Sequence, residues 1–240
     1  MPVSLKSPPM SHGPLHLRPT APLGEHVLLP GDPGRALALA QALLVAPRMF
    51  NHHRGLWGYT GEAPDGRPVT IQATGMGGPS AAIVLHELIE LGAKGAVRVG
   101  TCGALAPELE LGQLLIAGEA LCQDGTSRAL GAGERVAADG ELTAALARSA
   151  PDARVATVAT VDLFYEPEPA PERPGAQAIE MEAASLFAVG AGAGVPVGCL
   201  LTVSDTFDGS DRRERIDDER LLEAAEQMGR AALAALGHSV

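Results

Sequence analysis

Four short segments of the 240-residue chain place chemically useful residues where an apolar, strand-like run ends. They are LLPGDPGR with Gly31 and Arg35, VRVGTCG with Arg98 and Thr101, VDLFYEP with Phe164, and LLTVSDTF with Ser204 and Asp205. Arginines, a hydroxyl and the backbone N–H groups of glycine-rich turns suit the binding of a phosphate-like anion. Because ligands of open α/β sheets bind beyond the carboxyl ends of the strands, we expect the four segments to meet at one site.

Arg98 lies inside the apolar run AVRVGTCGAL, residues 96–105. A buried guanidinium without a partner is costly, so a negative group must come to meet it. The residues alone leave open whether that group is a structural carboxylate or a bound anion.

A pair of carboxylates, Glu180 and Glu182, stands in the segment IEMEAASL. They do not share a face on a helix, but they do on an extended segment that leads into one. In that case both can accept hydrogen bonds from the vicinal hydroxyls of a sugar. The alternative is a solvated acidic first turn, which the helix dipole favours.

Strand-like and helical patterns alternate along the chain. Residues 26–44 predict a strand, a turn and a helix, residues 140–149 and 178–194 predict helices, and DDERLLEAAEQMGRAALAALG predicts a closing helix. This alternation predicts a single-domain, three-layer α/β/α sandwich around a mixed, mostly parallel sheet, spanning residues 15–240. The proline-rich residues 1–14 are expected to form a flexible tail.

Composition narrows the classes of function. The formal charge of −11 argues against a nucleic-acid-binding protein that relies on a basic surface. The three cysteines show no CxxC spacing, which favours reduced thiols in the cytoplasm over a disulfide framework or a zinc site. Neither a signal peptide nor a membrane-spanning run is apparent. Adjacent His52 and His53 do not face one site on a regular element, so no metal site is expected.

Several motifs occur together and in a fixed order over residues 16 to 205. They are LLPGDPGRA, HRGLWGYTG, TGMGGPSAAI, RVGTCGAL, DLFY, EMEAASLF and TVSD. In this combination the chain resembles the nucleoside phosphorylase family, which comprises hexameric purine nucleoside phosphorylases and uridine phosphorylases.

The resemblance implies phosphorolysis of purine (deoxy)ribonucleosides to the free base and (deoxy)ribose 1-phosphate. Inorganic phosphate would be the co-substrate, with no cofactor and no metal. The acid after the serine, Asp205, favours purines, because uridine phosphorylases lack it there. The alternatives are a uridine phosphorylase, a nucleosidase that uses water, and a non-catalytic nucleoside-binding protein on the same fold.

The resemblance also implies roles for individual residues. The expected phosphate ligands are Gly31, Arg35, Arg98 and Thr101, with Arg54 reaching the site from a neighbouring subunit. The expected nucleoside ligands are His16 at the sugar 5′-hydroxyl from across a dimer interface, Met181 and Glu182 at the ribose, Glu180 at its edge near the base, and Phe164 packed on the base. Ser204 is also expected to bind the nucleoside. Asp205 would be the general acid, assisted by Arg220, or alternatively Arg215. Each complete site would then need two chains of a homo-oligomer, which in this family is a hexamer.

Overall fold

Strands and helices alternate throughout the computed structural model, which describes residues 13–165, 169, 171–207 and 213–240. The strands are β1 (His26–Leu29), β2 (Val45–Asn51), β3 (Gly58–Glu62), β4 (Pro68–Gln72), β5 (Gly95–Ala104), β6 (Leu114–Gln123), β7 (Arg135–Ala137), β8 (Arg154–Val161), β9 (Ala178–Glu180), β10 (Val197–Phe207) and β11 (Arg213–Arg215). The helices are α1 (Pro33–Leu43), α2 (Gly78–Glu90), α3 (Gly125–Ala129), α4 (Gly140–Ser149), α5 (Ala183–Ala193) and α6 (Asp218–Ala235), with a 3₁₀ turn at His53–Gly55.

The centre of the sheet is a parallel run in the order β4, β1, β5 and β10. Antiparallel strands extend it at both ends: β3 and β2 beyond β4, and β11 beyond β10. Strand β10 also pairs with β6, and β6 continues through β8 and β9 back to β5. Half of the sheet is therefore closed into a ring, with β10 as the strand that closes it.

Helices cover both faces of the sheet. Helices α1, α4 and α6 pack together on one face, and α2, α3 and α5 pack together on the other. Each face has its own apolar core, built mainly from Ala, Leu and Val because aromatic residues are scarce. The predicted three-layer, single-domain α/β architecture is confirmed, and ring closure by β10 is an addition that the alternating pattern did not reveal.

Two local features place the site residues. Asp32 caps α1 by accepting a hydrogen bond from the Arg35 backbone N–H at 2.7 Å, and Pro33 occupies the first helical turn. In β10 a register shift between Val203 and Asp205 re-aims the acidic side chain at the strand end.

The predicted helix 178–194 begins later than expected. Residues Ala178–Glu180 form strand β9, and α5 starts at Ala183 with Glu182 at its N-cap. Pairing of β9 with β5 and β8 holds this segment extended, so tertiary pairing overrides its helical composition.

The predicted tail, residues 1–14, lies almost wholly outside the described residues. In the part of the chain that the structure describes, no helix combines the length and apolar character needed to cross a bilayer.

Candidate active site

The Arg98 guanidinium is met by two carboxylates. It is buried on β5, where Nη2 donates to Glu182 Oε2 and Nε lies 3.3 Å from Glu180 Oε2. Burial alone would lower the pKa of Arg98, but the charges of Glu182 and Glu180 outweigh it and raise that pKa. On this side of the guanidinium the negative partner is therefore a structural carboxylate, one of the two alternatives left open by the sequence.

Strand β9 and the start of α5 hold both carboxylates in place. Glu180 Oε1 accepts a hydrogen bond from the Thr160 hydroxyl at 2.5 Å, and the carboxylate also accepts from the backbone N–H groups of Glu182 and Ala183. Glu182 Oε1 accepts from the Gly77 N–H at 2.5 Å. Of the two alternatives left open, the structure shows the extended lead-in, in which both acids face one way, with Met181 half-buried between them.

The other side of the Arg98 guanidinium is not paired with a carboxylate. Its Nη1 is buried and has no hydrogen-bond partner among the described residues. This atom lies next to Gly31, because a Cβ placed on Gly31 would stand 4.0 Å from it. Gly31 precedes the N-terminus of α1, whose backbone dipoles favour an anion. A buried donor without a partner beside a helix N-terminus is the geometry of an anion site.

Arg35 adds a second cation to this place. Burial lowers the pKa of the Arg35 guanidinium, Asp32 opposes that effect, and the positive charges of Arg98 and Arg215 lower the pKa further. The Arg35 side chain makes no hydrogen bond or ion pair to the residues the structure describes. A dianion between Arg35 and Arg98 would relieve their repulsion. Thr101 follows on β5, half-buried, with its backbone in register with Thr202 of β10.

A second group of side chains surrounds Asp205 at the end of β10. The Ser204 hydroxyl lies 2.6 Å from Asp205 Oδ2, and Arg213 Nε donates to Asp205 Oδ1 at 2.7 Å. The Arg213 guanidinium also stacks over the Phe164 ring, 4.5 Å from its centroid. Phe164 is half-exposed at 52%. An acid and an accessible aromatic face are therefore joined by one arginine.

Arg220 does not contact Asp205 in this structure, so its expected role beside the acid stays a prediction. Arg220 stands in the first turn of α6, and its Nη2 donates to the Leu111 carbonyl at 3.1 Å. Arg215 pairs with Asp205 only through the backbone ladder. Arg213 is the arginine that contacts Asp205, because residues 213–215 pair with β10 as an antiparallel strand instead of continuing toward helix α6.

Strand β5 connects the two groups, because Gly103 is in register with Ile179 of β9 and with Asp205 of β10. Burial raises the pKa of the thiol of neighbouring Cys102, and the charges of Glu180 and Asp205 raise it further against the opposing effect of Arg98. The anion pocket, the carboxylate pair and the acid therefore all lie around one stretch of β5. The four segments predicted to meet do so at the carboxyl ends of the parallel strands.

His16 lies beside the 3₁₀ turn that carries Arg54. The His16 ring and backbone contact Glu87 of α2, and the His53 ring bonds the His16 carbonyl at 3.1 Å. Arg54 is exposed, with a left-handed φ of 59° that is unusual for a non-glycine residue. Contact of these two residues with the site of a neighbouring chain stays a prediction.

Arg213 and Glu87 are residues that the sequence interpretation missed. Glu87 was detectable, because it is a carboxylate on the apolar face of helix α2 next to Leu88. Arg213 was not, because its role depends on the register of β11 against β10.

Comparison with known proteins gives consistent matches. The family model described as the phosphorylase superfamily matches residues 25–237. A purine nucleoside phosphorylase DeoD-type from Geobacillus kaustophilus is 36% identical over 198 residues, covering 78% of this chain and 83% of that protein. One from Proteus mirabilis is 39% identical over 191 residues, covering 75% and 79%.

A solved structure shares the fold. The crystal structure of uridine phosphorylase from Vibrio fischeri, complexed with 6-hydroxy-1-naphthoic acid, superimposes with a TM-score of 0.78. The superposition covers 90% of this chain and 92% of the uridine phosphorylase chain, and the two sequences are 24% identical.

Proposed function

The chain belongs to the phosphorylase superfamily, and from that premise we propose that it cleaves purine nucleosides with inorganic phosphate. The products are the free base and (deoxy)ribose 1-phosphate, as in purine salvage. Support comes from curated relatives named purine nucleoside phosphorylase over about three quarters of the chain. It also comes from the site itself, where a buried guanidinium nitrogen, a pair of carboxylates and an accessible aromatic ring suit an anion, sugar hydroxyls and a base.

The observation that carries the proposal is the open Nη1 of Arg98. Glu180 and Glu182 neutralise one side of this guanidinium, and Nη1 on the other side is buried next to Gly31 with no hydrogen-bond partner among the described residues. A nucleosidase that uses water has no need of a dianion pocket there. Arg35, Thr101 and, from a neighbouring chain, Arg54 complete the proposed phosphate ligands.

The sugar is held between the phosphate and the base. We assign its vicinal hydroxyls to Glu182 and the Met181 segment, with Glu180 behind them, and its 5′-hydroxyl to His16. Cleavage of the glycosidic bond gives the sugar oxocarbenium character. A phosphate held by arginines on the opposite side from the base stabilises that charge and forms the new bond to the anomeric carbon.

The base leaves with the electron pair of the broken bond. A purine departs more readily when its N7 accepts a proton, and Asp205 is the acid assigned to supply it, which contributes roughly 10²–10⁴-fold. Ser204 and Arg213 orient its carboxyl group. Phe164 offers its face to the base. Inorganic phosphate is the co-substrate, and the reaction as written needs no other cofactor.

We further propose a homo-oligomer with sites shared across a dimer interface, extending to a hexamer, and a cytoplasmic location. Arg54 is exposed and makes no bond to the described residues, as a side chain directed at a second chain would. All three cysteines are free and buried, which is compatible with a reducing compartment.

The test is release of free base from inosine, adenosine and uridine, each with and without inorganic phosphate. We expect purine release that requires phosphate, with pentose 1-phosphate formed in equal amount. Release without phosphate would identify a nucleosidase, release from uridine alone would contradict the role of Asp205, and absence of release would indicate a binding protein.

A further inference from the structure

Glu87 on helix α2 is a buried carboxylate that faces the N-terminal segment Leu15–Leu17. We propose that Glu87 is a positioning residue, which fixes this segment and orients the His16 imidazole toward the 5′-hydroxyl of the nucleoside. This inference rests on the proposed function, in which His16 binds that hydroxyl.

The Glu87 carboxylate contacts several nitrogen atoms of the segment. Oε1 lies 3.1 Å from Leu15 N, 2.9 Å from His16 N and 2.7 Å from His16 Nδ1. Oε2 lies 3.0 Å from His16 N and 2.7 Å from Leu17 N. Three consecutive backbone N–H groups and a ring nitrogen therefore converge on a single side chain.

These contacts keep the carboxylate charged. Burial alone would raise the pKa of Glu87, but the hydrogen bonds from the His16 ring and from the backbone of Leu17, His16 and Leu15 hold it below its usual value. Packing does not explain a charge here, since an apolar residue would fill the same face of α2 at lower cost. The charge instead anchors Leu15–Leu17, a segment that forms no strand or helix.

The same contact selects the tautomer of His16. With Nδ1–H donated to Glu87, the proton of the neutral ring is on Nδ1, and Nε2 is left as an acceptor. A hydroxyl group is a donor that matches it. The His16 carbonyl is held separately by the His53 ring at 3.1 Å, so backbone and ring are both anchored.

The substitution that tests this is Glu87→Gln. The amide is nearly the same size but replaces one acceptor by a donor that opposes the converging N–H groups. The matched control is Glu90→Gln, which makes the same charge change at an exposed position of the same helix.

Each variant is assayed with inosine and with 5′-deoxyinosine, which lacks the hydroxyl. We expect Glu87→Gln to raise KM for inosine about tenfold with little change in kcat, as for loss of one hydrogen bond. KM for 5′-deoxyinosine stays unchanged, and Glu90→Gln matches the wild type with both substrates. An equal effect of Glu87→Gln on both substrates, or no effect on inosine, overturns the proposal.

Two further variants keep the proposal testable if Glu87→Gln fails to fold. Glu87→Asp keeps the charge but withdraws it by one methylene, and should give an intermediate KM for inosine. His16→Ala should remove the preference for inosine over 5′-deoxyinosine, and Glu87→Gln should add nothing in its presence. Additive effects of the two changes would contradict the proposal. Failure of the wild-type enzyme to release base from inosine with phosphate would instead contradict the proposed function.

Discussion

Arg98 has carboxylate partners on one side of its guanidinium only, and this asymmetry decides which substitution tests its role. Glu180 and Glu182 are buried with it as counter-charges, while Nη1 faces Gly31. Replacing Arg98 by Ala leaves two buried carboxylates without a cation, which costs about 3–5 kcal/mol. Loss of activity in that variant would therefore not separate phosphate binding from folding.

Arg98→Lys is the sharper change. It keeps the positive charge between the carboxylates but removes the forked donor that faces the anion pocket. Loss of one hydrogen bond to a charged group costs about 1.5–3 kcal/mol, so we expect KM for phosphate to rise roughly 10- to 100-fold. Steady-state kinetics at varied phosphate concentration measure this KM, and the control is Arg148→Lys, at an exposed position of α4. A folded Arg98→Lys enzyme with an unchanged KM for phosphate would remove Arg98 from the anion site.

At the scale of elements, strand β11 determines which arginine serves the acid. The chain has arginines at positions 212, 213, 215 and 220. The one that meets Asp205 is set by antiparallel pairing of residues 213–215 with the end of β10. Arg220 is carried away by α6, whose first turn directs it to the Leu111 carbonyl.

We expect Arg213→Met to lower kcat for inosine phosphorolysis roughly 10- to 100-fold, because a charge-assisted hydrogen bond to Asp205 is lost. Arg220→Met, which leaves Asp205 untouched, should retain wild-type kcat. The discriminating substrate is 7-methylinosine, whose base already carries positive charge at N7 and needs no proton. Its cleavage should be the same in the wild type and in Arg213→Met, whereas equal losses on both substrates would argue for a general defect in base binding.

The sequence predicted the parts of the site that are local in the chain. Gly31 and Arg35 share one strand–turn–helix unit, Arg98 and Thr101 share one strand, and their common position at strand ends follows from the α/β pattern. The extended lead-in of Glu180 and Glu182 was one of two alternatives that side-chain periodicity left open, and pairing of β9 with β5 and β8 decides between them. Contacts that depend on strand register or on docking of a distant segment did not follow. Arg213 with Asp205 is one such contact, and Glu87 with His16, 71 residues apart, is another.

At the scale of the whole molecule, charge is distributed unevenly. The protein carries a formal charge of −11, yet Arg35, Arg98 and Arg215 lie near one another at the carboxyl ends of the parallel strands. At the other end of β1, His26 Nδ1 lies 2.9 Å from His238 Nε2, and His238 Nδ1 lies 3.2 Å from Asp65 Oδ2. This chain of contacts fastens the C-terminal residues to the β3–β4 turn.

The His26 contact predicts a pH-dependent stability. Burial, with the charges of His238 and Arg67, lowers the pKa of His26, so the folded protein resists protonation that the unfolded chain accepts near pH 6.5. The unfolded state then binds more protons as pH falls through that range, and stability decreases. We expect His26→Asn, which keeps a donor toward His238, to lose less stability between pH 7.5 and pH 5.5 than the wild type does. Urea unfolding midpoints at the two pH values measure this, and exposed His52→Asn is the control. An equal loss in His26→Asn and wild type would show that other groups carry the pH dependence.

Ring closure by β10 has a consequence for synthesis of the protein. Cys102 of β5 and its neighbour Thr202 of β10 are 100 residues apart, so a ribosome has made most of the chain before the two strands can meet. Until then β5 and β6 present unpaired edges of the kind that invite aggregation. Asp205 arrives on the same late strand. A nascent chain that stops short of β10 therefore lacks both the acid and the strand that closes the ring.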